Sequence, residues 1–321
     1  MIAQKPGGLD RLYAALATPF DENEAVTESC QRSLVQFVLR QGIDGLYVGG
    51  STGESLMQSV GERQEGLRIV ADEARGQAKL IGHVGAISTR DALALTRTCA
   101  DAGYDAVSAI PPIYFPHGKD AIVGYYRDIA EAAQGLPLVI YNIPAMSSVS
   151  FSLAELDRLL EIPNVVGIKQ TSLDMYQMEQ VRRRYPSALL LNGYDEVFLA
   201  GLVSGANGGI GSTYNVMGGR YIRIRQALAD GQVQEAMRLQ SACNEVIDLL
   251  VAAGVFPALK FMLHHLGVIA TPRSRAPLAA VAQSFHAPLR QAADSLMAEI
   301  GGLDPQGWHR NPATPSSEDQ R

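Results

Sequence analysis

Apolar residues along the chain gather in eight short runs: Leu12 to Ala17, Leu46 to Val48, Leu80 to His83, Ala106 to Ile110, Leu138 to Tyr141, Val165 to Ile168, Leu189 to Leu191, and Gly208 to Gly211. The runs are continuous rather than alternating, which is the pattern of parallel strands buried on both faces, although a buried helix segment gives the same signal over so short a length. The intervening stretches break the tie. Ser59-Val-Gly-Glu62, Ser88-Thr-Arg-Asp91 and Ser152-Leu-Ala-Glu155 have the spacing of a helix capping box or its Asp variant. Each opens a segment with helical apolar spacing, as in Leu67, Val70 and Ala74.

Strand and helix therefore alternate. Eight units starting 19 to 34 residues apart predict an α/β fold, a (β/α)8 TIM barrel closed by right-handed crossovers. A doubly wound open sheet shares the alternation but seldom needs eight consecutive units. The barrel is expected over residues 1–230, its last helix ending near Asp230-Gly231. Residues 231–300 predict extra C-terminal helices packed on the barrel, at Gln232 to Gly254, Pro257 to Leu266 and Ala287 to Ile300. Residues 301–321, rich in Gly, Pro, Ser and Asp and holding the single tryptophan Trp308, read as a frayed, disordered tail.

Composition narrows the function classes. A chain of 321 residues with 47% hydrophobic and 19% charged residues is an ordinary globular protein, and its net charge of −6 without a Lys/Arg cluster disfavours nucleic acid as a partner. Cys30, Cys99 and Cys243 are odd in number and far apart, so neither a disulfide framework nor a zinc knuckle is expected, and a cytoplasmic location fits. Met1 to Asp10 lacks an export signal and no 18 apolar residues run together, so no membrane partner is expected. His83, His117, His286 and His309 stand singly, without an H-E-x-x-H pattern, which implies no metal, and nothing calls for another cofactor.

In a barrel of this kind reactive groups stand at the carboxyl ends of the strands. The sixth run places Lys169 directly after apolar or small residues. Burial favours the uncharged form of an amine, and an uncharged amine adds to a ketone to form a Schiff base; the alternative is a lysine that snorkels or pairs with a carboxylate. The fifth run ends on Tyr141, one strand away. A phenol beside an imine-forming amine suits general acid–base work, whereas alone it reads as a core aromatic. After the second run, Gly49-Gly50-Ser51-Thr52-Gly53-Glu54 offers amides and hydroxyls for an anion such as a carboxylate, with Glu54 as a structural anchor of the loop. The same letters spell G-x-S-x-G, the serine-hydrolase elbow, for which Asp195 and His264 or His265 stand in the permitted order. Asp195 and Glu196 after the seventh run, and Ser212 after the eighth, suit the hydroxyls of a sugar-like ligand; acid pairs also mark solvated helix starts, and the glycine-rich stretch Gly208 to Gly211 equally suits a phosphate.

Gly49-Gly-Ser-Thr-Gly-Glu54, Tyr141-Asn-Ile-Pro-Ala145 and Gly167-Ile-Lys-Gln-Thr-Ser172 resemble the three signatures of the pyruvate-dependent class I aldolases that include dihydrodipicolinate synthase and N-acetylneuraminate lyase. Lys169 to Gln180, Asn192 to Glu196 and Gly208 to Asn215 resemble the sialic-acid-cleaving branch, and the likeness runs over roughly residues 8–300. The resemblance implies a Schiff-base lyase that cleaves N-acetylneuraminate reversibly to pyruvate and N-acetyl-D-mannosamine. It makes Lys169 the imine lysine and Tyr141 the group that takes the C4 hydroxyl proton. Ser51 and Thr52 would hold the pyruvyl carboxylate, with Ser51 in the proton relay. Thr171, Gly193, Asp195, Glu196 and Ser212 would meet the sugar, and Tyr114 would reach a neighbouring subunit's site in a homotetramer. Synthases carry an arginine five residues beyond the strand-five tyrosine, where this chain has Met146; a thioether cannot make that bidentate contact. A sibling aldolase or dehydratase for a 2-keto-3-deoxy sugar acid, a synthase-like enzyme, and a barrel that only binds sugars or keto acids are the competing expectations.

Overall fold

A computed structural model of the chain describes residues 8–299. The expected tail 301–321 lies outside them. Eight strands, β1 (Leu12–Ala15), β2 (Gly45–Val48), β3 (Lys79–His83), β4 (Ala106–Ala109), β5 (Leu138–Asn142), β6 (Val165–Gln170), β7 (Leu189–Asn192) and β8 (Gly208–Gly211), pair in sequence order into a closed barrel. All pairings are parallel, and β1 meets β8 with Leu12 opposite Gly209. Closure excludes the doubly wound sheet.

The continuous apolar runs have a direct cause. Successive side chains of a strand point to opposite faces, and both faces are covered here. Tyr13, Ala15, Tyr47, Ile81, Val139, Tyr141, Leu189, Leu191 and Ile210 fill the barrel interior. Their neighbours Leu12, Ala14, Leu46, Leu80, Val107, Leu138, Ile140, Ile168 and Leu190 form the core between sheet and helices.

The helices are α1 (Glu28–Arg40), α2 (Val60–Glu73), α3 (Thr89–Ala102), α4 (Lys119–Ala132), the short α5 (Pro144–Ser147), α6 (Leu153–Leu160), α7 (Met175–Arg184), α8 (Phe198–Val203), α9 (Tyr214–Ala229), α10 (Val233–Ala253), α11 (Val255–His265) and α12 (His286–Glu299). Ser59 and Ser152 make full capping boxes with Glu62 and Glu155. Ser88 accepts from the Asp91 amide at 3.2 Å without the reciprocal bond, because Asp is one methylene shorter. Five strands, β1, β4, β5, β6 and β7, end one or two residues away from the sequence reading. Leu16 and Ala17 lie beyond β1, and Lys169 is the fifth residue of β6 rather than the residue after it, held in the ladder by Tyr141 on one side and Leu191 on the other.

Beyond the barrel, α10 packs along α9, and α11 packs against α9, α10 and α12. The chain turns through 110° between α10 and α11 at Gly254, whose φ of 89° is a left-handed conformation that a side chain would resist. No single helix among the described residues is long and apolar enough to cross a membrane.

Candidate active site

A cavity of about 240 Å³ opens at the carboxyl ends of the strands. Ser51 and Thr52 after β2, Tyr141 in β5, Lys169 in β6, Thr171, Gly193, Asp195 and Glu196 beyond β6 and β7, and Ser212 after β8 all line it. The ends of five strands, β2, β5, β6, β7 and β8, thus converge on one space. Tyr114 does not line it. It stands on the β4–α4 connection, 86% exposed, with a left-handed backbone (φ 78°) and its ring edge-on to Phe115 at 4.9 Å.

Lys169 sits at the base of the cavity. Register places it directly opposite Tyr141, and it is 4% exposed. Its Nζ lies 3.8 Å from the centroid of the Tyr141 ring and 4.5 Å from that of Tyr47. No carboxylate pairs with it among the ion pairs of the described residues, so the snorkelling and salt-bridge alternatives both fail. The amine is held against two aromatic faces, close to a phenol and open to the cavity.

His83 supports this corner from beneath. Its ring is edge-on to Tyr141 at 5.8 Å and tilted against Tyr47 at 6.0 Å. Burial, reinforced by the guanidinium of Arg63, pushes the imidazole well below its usual range, so it stays neutral. Nδ1 donates to Gly49 O at 2.8 Å and Nε2 accepts from the Ile110 amide at 3.3 Å, which fixes the tautomer. This histidine, isolated from other candidate ligands in the sequence, is therefore a brace for the Gly49–Glu54 loop.

The opposite wall is hydroxylic. Thr52 Oγ1 and Ser212 Oγ share a hydrogen bond of 2.7 Å across the cavity between β2 and β8. Asp195 Oδ2 accepts from the amide and hydroxyl of Thr213 at 2.9 and 2.8 Å. Its Oδ1, like Oγ1 of Thr171, is buried without a protein partner. Unpaired buried acceptors are expensive, and these two residues line a cavity where ligand hydroxyls would satisfy them. Burial raises the Asp195 carboxyl to about 6 despite the Thr213 bonds. Gly193 is required here for close approach: a Cβ would lie 1.8 Å from Thr171 Oγ1 and 3.0 Å from Thr171 Cα.

Sequence reasoning missed the apolar side of the cavity. Ile247 and Val251 of α10 and Val255 and Phe256 of α11 line it, brought there by the turn at Gly254. Their i, i+4 spacing marks a helix face, but only docking says which face meets the site. Tyr47 was also missed; its place in an apolar run gave no hint that it underlies the amine. The serine-hydrolase pattern does not assemble: His264 contacts the Ile269 carbonyl, His265 pairs with Asp294, and neither lines the cavity with Ser51. Among the described residues no group of three His, Cys, Asp or Glu is placed to hold a metal ion. A groove of about 600 Å³ at the opposite end of the barrel is roomier. Two of its charge pairs are closed, Arg11 with Asp44 at 2.5 Å and Lys79 with Asp105 at 2.6 Å, and none of the sequence-predicted site residues lines it.

Comparison with known proteins agrees with this geometry. Residues 8–296 match the dihydrodipicolinate synthetase family. An N-acetylneuraminate lyase of Escherichia coli is 50% identical over 290 residues, covering 90% of this chain and 98% of the relative. Among solved structures, N-acetylneuraminate lyase from Fusobacterium nucleatum complexed with pyruvate superimposes with a TM-score of 0.84 at 32% identity, covering 92% of this chain and 99% of that one. A catalytic lysine mutant of the Ruminococcus gnavus sialic acid aldolase gives a TM-score of 0.86 at 30% identity, covering 90% and 96%. With nearly the whole described barrel accounted for by one match, and with lysine, tyrosine and hydroxyl loop in one cavity, this chain belongs to the dihydrodipicolinate synthetase family.

Proposed function

We propose that this protein is a Schiff-base aldolase that cleaves N-acetylneuraminate reversibly to pyruvate and N-acetyl-D-mannosamine. One observation carries the proposal: a buried lysine amine stacked on a tyrosine at the base of a cavity whose walls are hydroxyls, unpaired acceptors and an acid pair. The 50% identity to a lyase of that specificity supports it.

The Lys169 amine adds to the C2 ketone of the open-chain sugar acid, and loss of water gives the iminium. Tyr141, relayed through Ser51, takes the proton of the C4 hydroxyl. As the C3–C4 bond breaks, its electron pair moves into the iminium, so the departing carbon becomes an aldehyde and the bound fragment an enamine. Protonation at C3 and hydrolysis then release pyruvate and return the amine. Ser51 and Thr52 hold the carboxylate through loop amides and hydroxyls, and Thr171, Gly193, Asp195, Glu196 and Ser212 meet the sugar hydroxyls.

Met146 lines the cavity at the place where a synthase needs arginine, which favours a neutral polyol tail over a second carboxylate. The exposed Tyr114, in its strained backbone, supports a homotetramer in which this ring enters a neighbour's site. Residues 231–299 act in this proposal as an accessory layer that closes one wall of the cavity, and three free buried cysteines suit a cytoplasmic enzyme.

Borohydride reduction in the presence of pyruvate tests the chemistry. The expected result is a pyruvate-derived adduct on Lys169 by peptide mass spectrometry, and an unmodified Lys169 would refute it. Comparing kcat/KM for N-acetylneuraminate with that for 2-keto-3-deoxygluconate separates the lyase from a sibling aldolase.

A further inference from the structure

The Gly49–Glu54 loop enters the cavity with Ser51 and Thr52 and leaves it at Glu54, which holds a left-handed backbone (φ 56°). Glu54 then turns away from the barrel. Its side chain and that of Lys260, from α11, are each 1% exposed, and Nζ lies 2.5 Å from Oε1 as a charge contact rather than an aligned hydrogen bond. The other carboxylate oxygen accepts from the Arg275 amide at 2.8 Å. Lys260 also donates to Arg273 O at 3.0 Å and stands 4.0 Å from the centroid of the Phe20 ring. The Arg275 guanidinium lies 4.5 Å from the same ring and reaches Met57 O, Glu24 O and Glu62.

A fully buried ion pair is a poor source of stability, because desolvation offsets its attraction and an apolar pair of similar volume often does better. Burial indeed pulls the Lys260 ammonium down to about 8 against the pull of Glu54. At this pair both carboxylate oxygens are engaged, Oε1 by Lys260 and Oε2 by the Arg275 amide, so the Glu54 side chain has one place to go. With His83 bonded to Gly49 O at the near end and Lys260 on Glu54 at the far end, the loop is pinned on both sides of its two hydroxyls.

We propose that Lys260, through Glu54, is a positioning residue for the Ser51–Thr52 loop, so that the C-terminal helices set the affinity for the keto acid. The proposal rests on the assignment of Ser51 and Thr52 as the carboxylate holders. Lys260 touches no reacting atom; it acts through the loop, on the carboxylate that Ser51 and Thr52 hold and on the Ser51 end of the proton relay.

The test uses the full chain in the condensation direction with pyruvate and N-acetylmannosamine. Glu54→Leu with Lys260→Met removes both charges at similar volume. Glu54→Asp keeps both charges and suits the left-handed backbone, but shortens the tether by one methylene, and it serves if the double variant does not fold. Either folded variant is expected to raise KM for pyruvate at least tenfold for the double change and at least threefold for Glu54→Asp. KM for the sugar should change less than threefold, a split between the two substrates that mere loosening of the fold would not give. Wild-type pyruvate KM in a folded variant overturns the proposal, as does an equal rise in both KM values. Ser51→Ala with Thr52→Val separates the two assignments: if it raises pyruvate KM while the Glu54 and Lys260 variants do not, the positioning role alone falls. If it leaves pyruvate KM unchanged, the carboxylate assignment falls and the positioning role with it.

Discussion

Tyr141→Phe separates the two halves of the proposed reaction. The ring packs edge-on to Tyr47 at 6.1 Å and to His83 at 5.8 Å, and carries Lys169 Nζ 3.8 Å from its centroid. Phenylalanine keeps each of these contacts, so the lysine stays in place and the core keeps its volume; a near-isosteric change of this kind costs less than about 1.5 kcal/mol of stability. What disappears is one oxygen. If that oxygen takes the C4 hydroxyl proton, its loss removes the general-base contribution, about 10²- to 10⁴-fold in rate. At about 1.36 kcal/mol per decade this is roughly 2.7 to 5.4 kcal/mol of barrier. Pyruvate release from N-acetylneuraminate should fall by that factor, while borohydride with pyruvate should still label Lys169, since imine formation with a small keto acid does not require the C4 proton to move. A coupled pyruvate assay, peptide mass spectrometry and a thermal melt together read the three quantities. Turnover within tenfold of wild type would refute the role of the phenol, and loss of the adduct from a folded protein would show that Tyr141 acts on the amine instead.

Gly193→Ala places a methyl 1.8 Å from Thr171 Oγ1 and 3.0 Å from Thr171 Cα, so a rotamer change of the hydroxyl alone does not relieve it. Overpacking of about 1 to 3 kcal/mol is expected, seen as a KM for N-acetylneuraminate raised at least fivefold; unchanged kinetics would mean that neither residue meets the sugar. Burial holds the Asp195 carboxyl at about 6, above its ordinary 3.8, so the folded state binds the extra proton between those values. The Asp195 contribution to stability is therefore fully present below pH 3.8 and is lost as pH rises through 6, to the extent of about 3 kcal/mol. Urea midpoints should show Asp195→Asn gaining on the wild type between pH 4 and pH 7, and a gap that ignores pH would refute the shift.

The sequence was most informative where chemistry is local. The capping serines, the glycines around Ser51 and the position of Lys169 beside apolar residues are short-range patterns; the fold keeps the caps and brings the loop and the lysine to one cavity. Glu54 was legible as an anchor from its place at the end of the loop, but its partner Lys260 lies in a distant helix and carries no mark that distinguishes it from a surface lysine. His83 stood alone in the sequence and proved to brace the loop through Gly49. The lining residues Ile247, Val251, Val255 and Phe256 read as ordinary apolar helix positions.

By itself the order of residues determined the eight strand–helix units, because continuous apolar runs are the only way to fill both faces of a covered parallel sheet, and capping is decided within one helical turn. It also placed the strand ends to within about two residues. Only the tertiary structure decided which of them share a space. Closure of β8 onto β1 brings Ser212 to Thr52, the turn at Gly254 sets apolar side chains over the mouth, and burial leaves Thr171 and Asp195 with acceptors that the protein does not satisfy. Such facts depend on distances between groups remote along the chain and on the exclusion of water around them, and neither is written in any local pattern.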